Sequence, residues 1–175
     1  MRIETVYQEG LKKLIKEYPL DEINVVMLCE HCKSNRQTFY YHFRDISDVV
    51  ESIFLKEKVG YAKKLLDYES ILKEMITYIN GNYNFVSAIN KSYSQEKLYS
   101  FIFSYFYSRI GMLLKNHKMD GNEITRYMSV LSAQELIYWV GNKRKEKAPL
   151  LSKRLNTIFI YFVNQYQSDL KRNVF

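Results

Sequence analysis

A chain of 175 residues, 47% of them apolar, is long enough to bury one large core or two small ones. Two prolines and six glycines leave little material for strands and turns, and no run nears the roughly 18 apolar residues a membrane span needs. The net charge of +7 is uneven, because residues 1–60 hold nine Lys/Arg against ten Asp/Glu, so total charge does not mark the N-terminal part as a nucleic-acid binder.

Apolar residues recur at helical spacing from end to end, which predicts an all-α protein of about nine helices. The first helix spans residues 3–18, with Ile3, Val6, Tyr7, Leu11, Leu14, Ile15 and Tyr18 on its stripe and Pro19 as its stop. Asn24 caps a second, short helix whose stripe is Val25, Leu28, Cys29 and Cys32. After the tight turn at Lys33 and Ser34, Asn35 caps a third that runs to about Phe43. Asp45 caps a fourth, with Asp48 three residues on as a short capping-box partner, running toward residue 64.

Further helices are expected over 70–80, 83–91, 95–116 and 121–142, with a break at Asn80-Gly81-Asn82. A last helix covers about 149–171 and opens on Pro149, where the missing N–H costs nothing. This organisation divides into an N-terminal three-helix unit, 1–45, and a helical body, 46–175, for regulation and dimerisation. "NKRKEK", residues 142–147, reads most simply as a solvated loop.

Two short capped helices joined by a tight turn form a helix-turn-helix. In "NRQTFYYHFRD", residues 35–45, Phe39 and Phe43 are four apart and anchor the third helix, leaving its other faces to project. Arg36, Gln37 and Thr38 occupy its first positions, where a helix in a major groove offers donors, acceptors and a methyl group to base edges. Tyr40, Tyr41, His42 and Arg44 suit phosphate oxygens, and residues 31–44 contain no carboxylate. With the caps Asn24 and Asn35, these residues make up the candidate DNA-binding set.

"INVVMLCEHCKSNRQTFYYHFRDISDVV", residues 23–50, resembles the DNA-binding signature of the TetR family of bacterial transcriptional regulators. The match is carried by Thr38, Phe39, Tyr40, Tyr41, His42 and Phe43, and covers about a sixth of the chain. More loosely, the later part resembles the dihydroxyacetone-kinase-regulator branch through Tyr138-Trp139, a polar linker and a last amphipathic helix. The chain departs from the family at the turn, where Cys32 and Lys33 stand in place of small residues and glycine, and at Asn35 in place of serine. The start MRIETVYQEG has no apolar signal-peptide core, and Cys29 and Cys32, three apart, suit a reducing compartment, so residence in the cytoplasm is expected. The resemblance implies a transcriptional regulator, read as a homodimeric repressor on a palindromic operator controlled by a small-molecule effector, with no cofactor and no membrane partner expected.

Such regulators hold an effector between their later helices. Tyr78, Tyr99, Phe103, Tyr107, Tyr138 and Trp139 are the pocket candidates, although aromatics at helical spacing are more often core. The last two helices are apolar over a wide arc, which calls for one partner inside the subunit and one beyond it. Leu131, Leu155, Phe159, Phe162 and Tyr166 are the candidate dimer contacts.

Two other readings compete. Cys29 and Cys32 raise a metal or redox sensor, yet a structural zinc site needs about four ligands and no second Cys/His pair accompanies them. A helical adaptor for another protein would bind no duplex. The sequence shows no catalytic constellation, so an enzyme is not expected.

Overall fold

The computed structural model describes residues 2–57, 59, 67–119 and 121–172, with the backbone alone for 169–172. Among them are nine α-helices and no strand: α1 (Ile3–Leu14), α2 (Val25–His31), α3 (Arg36–His42), α4 (Ile46–Lys56), α5 (Tyr68–Gly81), α6 (Tyr83–Asn90), α7 (Gln95–Asn116), α8 (Asn122–Gly141) and α9 (Ala148–Arg172). Two compact units form, one from Met1–Lys58 with Gly81–Phe101 and the other from Val59–Asn80 with Ile102–Phe175.

In the first unit the capping chemistry appears as its sequence implies. Asn24, Asn35 and Asp45 each accept a backbone N–H three residues on, from Met27, Thr38 and Asp48 at 3.1, 2.8 and 2.8 Å. Each such cap is worth about 1 kcal/mol and fixes where its helix starts. Tyr7 of α1 sits edge-on to both Phe39 and Phe43, at 5.3 and 6.0 Å between centroids. That geometry suits aromatic quadrupoles and seats α3 against α1. Helix α4 buries Val49, Val50, Ile53 and Phe54, and the Phe54 ring stacks on Phe101 at 4.7 Å.

The helix ends differ from the sequence expectation in three places. Helix α1 stops at Leu14, and Leu20–Glu22 form a 3-10 turn after Pro19. Helix α4 stops at Lys56, with Glu57 extended, and the expected continuation to 64 falls largely outside the described residues. Only Leu28 and Cys29 of the α2 stripe are buried, because Cys32 is the helix's C-cap and Val25 opens it.

The second unit packs Ile71, Leu72 and Met75 of α5 with Ile102, Phe106 and Ile110 of α7, Met128 and Leu136 of α8, and Leu151 and Leu155 of α9. Tyr68 lies at its centre, with its ring stacked on Phe159 at 4.4 Å and its hydroxyl hydrogen-bonded to Ser132 Oγ at 2.6 Å. Leu155 and Phe159, two of the candidate dimer contacts, are buried within this unit, at 0% and 8% exposed. Helical periodicity marks an apolar side and does not say which body covers it.

The loop 142–147 is exposed at Asn142, Lys143, Lys145 and Lys147, as a solvated loop implies, and it is also held by defined contacts. Lys143 and Arg144 both take left-handed backbone at φ 54° and 56°. Trp139 Nε1 donates to the Glu146 carbonyl at 2.8 Å, and Arg154 bridges Glu135 and Glu146 at 2.9 Å each. Each left-handed L-residue costs roughly 1–2 kcal/mol, and the Lys143 and Arg144 N–H groups are satisfied by the Val140 and Trp139 carbonyls at 3.0 and 2.9 Å.

Candidate nucleic-acid interface

Helix α3 divides its residues by face. Phe39 and Phe43 are buried, while Arg36, Gln37, Tyr40 and Tyr41 are exposed. Arg36 and Tyr40, like Gln37 and Tyr41, are four apart and share a side of the helix. Tyr41 is 85% exposed and Tyr40 58%, large values for rings that an ordinary surface helix would lay on its neighbours. The Tyr40 ring keeps one edge-on contact, to Phe39 at 5.5 Å, and its outer side stands clear.

The remaining members of the set are placed less uniformly. Thr38 is half-buried, with its backbone N–H held by the Asn35 cap. Asn24 and Asn35 are exposed, and each has its Oδ1 committed to capping. His42 turns partly inward, with Nδ1 3.6 Å from a Glu4 carboxylate oxygen. Arg44 is exposed but tethered, since its Nε and Nη2 donate to the two oxygens of Asp48 at 2.7 and 2.6 Å. The guanidinium beside it holds the Asp48 carboxyl below the usual range, and the carboxylate in turn raises Arg44.

The turn before α3 is held by contacts that apolar periodicity does not reveal. Lys33 adopts φ 51°, the left-handed conformation for which glycine is the usual choice, and this lets Ser34 N–H reach the Cys29 carbonyl at 2.9 Å. Ser34 Oγ is bonded to Tyr7 Oη at 2.6 Å, tying the turn to α1. Gly10 of α1 faces Cys32 so closely that a Cβ there would lie 2.4 Å from its Sγ. Glycine at position 10 is the signal for this crossing, legible only once α1 and α2 are known to pack.

The two cysteines belong to that packing. Cys29 is buried, Cys32 is half-buried with Sγ directed at the Val6 carbonyl, and burial pushes both thiols up. A raised thiol pKa lowers the thiolate fraction and hence the reactivity a redox sensor needs. Among the described residues no three His, Cys, Asp or Glu gather as metal ligands. No described helix is long and apolar enough to cross a membrane.

An open cleft of about 520 Å³ lies beside the start of α3, lined by Asn24, Val25, Val26, Met27, Arg36 and Tyr40. Two others, of about 410 and 480 Å³, also belong to the first unit. None of these three takes a side chain from the aromatic effector set. Within that set Tyr99 lies in the first unit and the other five lie in the second. Phe103 stacks on Tyr107 at 5.7 Å, Trp139 is buried, and Tyr138 is 69% exposed. Adjacent on α8, Tyr138 and Trp139 thus face opposite environments. Of the interface set, Leu131 and Tyr166 are half-buried and Phe162 is exposed.

No family model matches the chain, and no curated protein sequence does. A solved structure is similar: that of the dihydroxyacetone kinase operon activator DhaS, with a TM-score of 0.66 at 16% sequence identity, covering 92% of this chain and 96% of that one. At that identity the likeness is one of fold, and it extends over nearly the whole of both chains.

Proposed function

We propose that the protein is a sequence-specific, DNA-binding regulator of transcription, without enzymatic activity, that acts as a cytoplasmic homodimer on a palindromic operator. The observation that carries this reading is the partition of α3: two phenylalanines fix the helix to α1, while Arg36, Gln37, Tyr40 and Tyr41 stand out on a short capped helix after a tight turn. Those side chains have what major-groove bases and phosphates accept, and the TetR-like signature of residues 23–50 and the shared fold of a protein named as an operon activator support the same reading. The functional division we adopt is a reading head, residues 1–45, and a body, residues 46–175.

Dimerisation is assigned to α8 and α9. On α8, Tyr127, Leu131 and Tyr138 share one side, and on α9 Phe162 and Tyr166 continue the stripe of Leu155 and Phe159 past the point where the core covers it. Exposed apolar side chains on adjacent helices favour a two-fold partner. Two reading heads must then sit about one turn of DNA apart, or a multiple of it. Release follows if a small-molecule effector favours a conformer with another spacing. We read the regulator as a repressor; the position of the operator relative to the promoter, not the fold, decides between repression and activation.

Selection of bound duplexes from random DNA tests the proposal. The expected result is a palindrome whose half-site spacing matches a dimer. Absence of salt-dependent binding to any duplex would move the weight to a protein-binding adaptor.

A further inference from the structure

Arg44 is an exposed cation at the end of the recognition helix, yet its side chain does not stand alone. Asp48, in the first turn of α4, accepts the Arg44 backbone N–H at 2.9 Å, its Nε–H at 2.7 Å and its Nη2–H at 2.6 Å. Asp48 is in turn fixed through its own backbone N–H, which donates to the Asp45 cap at 2.8 Å. The carboxylate is mostly covered, with 18% of its side chain exposed, while the guanidinium is 83% exposed. The pair is thus an anchored acceptor holding an exposed donor.

The guanidinium has two bidentate edges. The Nε/Nη2 edge is occupied by Asp48, and the Nη1/Nη2 edge points away from it, with three N–H bonds not used on the carboxylate. A phosphate oxygen pair matches that outer edge. The carboxylate also cancels the net charge of the arginine, so the pair adds direction without adding much general attraction for polyanions.

We propose that Asp48 is a positioning residue for DNA recognition, holding Arg44 in one orientation so that its outer edge takes a backbone phosphate only when α3 is in register. This rests on the DNA-binding reading above. A free arginine at the same place would bind phosphate in many registers; a clamped one rewards a single docking geometry. Asp48 therefore contributes to the ratio of specific to non-specific affinity while touching no DNA.

The test uses the full chain, its selected duplex and an unrelated duplex of equal length, with wild type, Asp48→Asn, Arg44→Ala and the double variant. Asparagine retains an oxygen for the Arg44 backbone N–H, so α4 keeps its start, and melting temperatures check this. Asp48→Asn should strengthen non-specific binding, through the charge gained, and lower the specific-to-non-specific ratio about tenfold. In the Arg44→Ala background the same change should leave the ratio where Arg44→Ala put it. The Arg44 Nε–H resonance should be slow to exchange in the wild type and fast in Asp48→Asn. An equal drop in ratio with Arg44 absent, or an unchanged ratio in Asp48→Asn, would overturn the positioning role alone. A wild type that binds no duplex is seen in its own arm of the experiment, and sinks the DNA-binding reading and this role together.

Discussion

Phe159 and Phe162 lie three residues apart on α9, and the structure gives them different work. Phe159 is 8% exposed and stacked on Tyr68, whereas Phe162 is 43% exposed, with the Tyr161 ring edge-on at 6.3 Å. Replacing Phe159 by alanine removes a core ring and should cost about 3–5 kcal/mol, enough to unfold much of a marginal domain. Replacing Phe162 by glutamate should leave the protomer folded, since the position is partly wet. In a two-fold interface the same carboxylate is buried twice, without a partner. At about 3 kcal/mol per copy the dimer loses about 6 kcal/mol, which raises its dissociation constant roughly 10⁴-fold. Sedimentation at micromolar concentration should give a wild type near twice the 21.0 kDa chain mass and a Phe162→Glu species near that mass, with helical circular dichroism intact. Persistence of the Phe162→Glu dimer at the wild-type dissociation constant would refute the placement of the interface at the C-terminal half of α9.

Other expectations follow from the reading head and the core. Gln37→Ala should cost about 1–3 kcal/mol on the preferred site and relax one base-pair preference per half-site, whereas Tyr41→Phe should weaken all duplexes alike; competition binding separates the two. Gly10→Ala should destabilise, since its Cβ would meet Cys32 Sγ at 2.4 Å, and adding Cys32→Ala should turn the effect to a gain of about 0.5–1 kcal/mol from helix propensity in denaturant titration. Lys33→Gly should raise stability by about 1 kcal/mol by relieving the left-handed backbone. The Asp48 carboxyl lies below its usual 3.8 in the fold, so its stabilising effect is complete above that pH and is lost as pH falls through the lowered value; the acid limb of melting temperature against pH should flatten in Asp48→Asn.

The caps, the all-helical class and the two anchoring phenylalanines were legible because they depend on short-range rules: an Asx side chain reaches three residues, and a helix repeats its face every three or four. Asn24, Asn35 and Asp45 each make that three-residue reach at the start of a helix. The face of α3 that projects also followed from that periodicity, since Phe39 and Phe43 leave Arg36, Gln37, Tyr40 and Tyr41 no buried side to share.

Contacts between residues distant in sequence were settled by the tertiary structure, because spacing carries no information about which apolar side meets which helix. Leu155 and Phe159 belong to a wide apolar arc of α9 whose spacing does not say what covers it, and the stack of Tyr68 on Phe159 is what shows them buried in their own unit. Nothing in the spacing singles out Gly10 until Cys32 closes on it, and Tyr7 is one more apolar position until its hydroxyl pairs with Ser34. Arg44 and Asp48 were four apart in plain view, but the clamp requires α4 to begin at Asp45 with its first turn facing back toward the end of α3. Short-range rules set the helices, the capped starts of α2, α3 and α4 and the types of side chain exposed on α3; long-range packing decides which of those side chains are held in place, and by what.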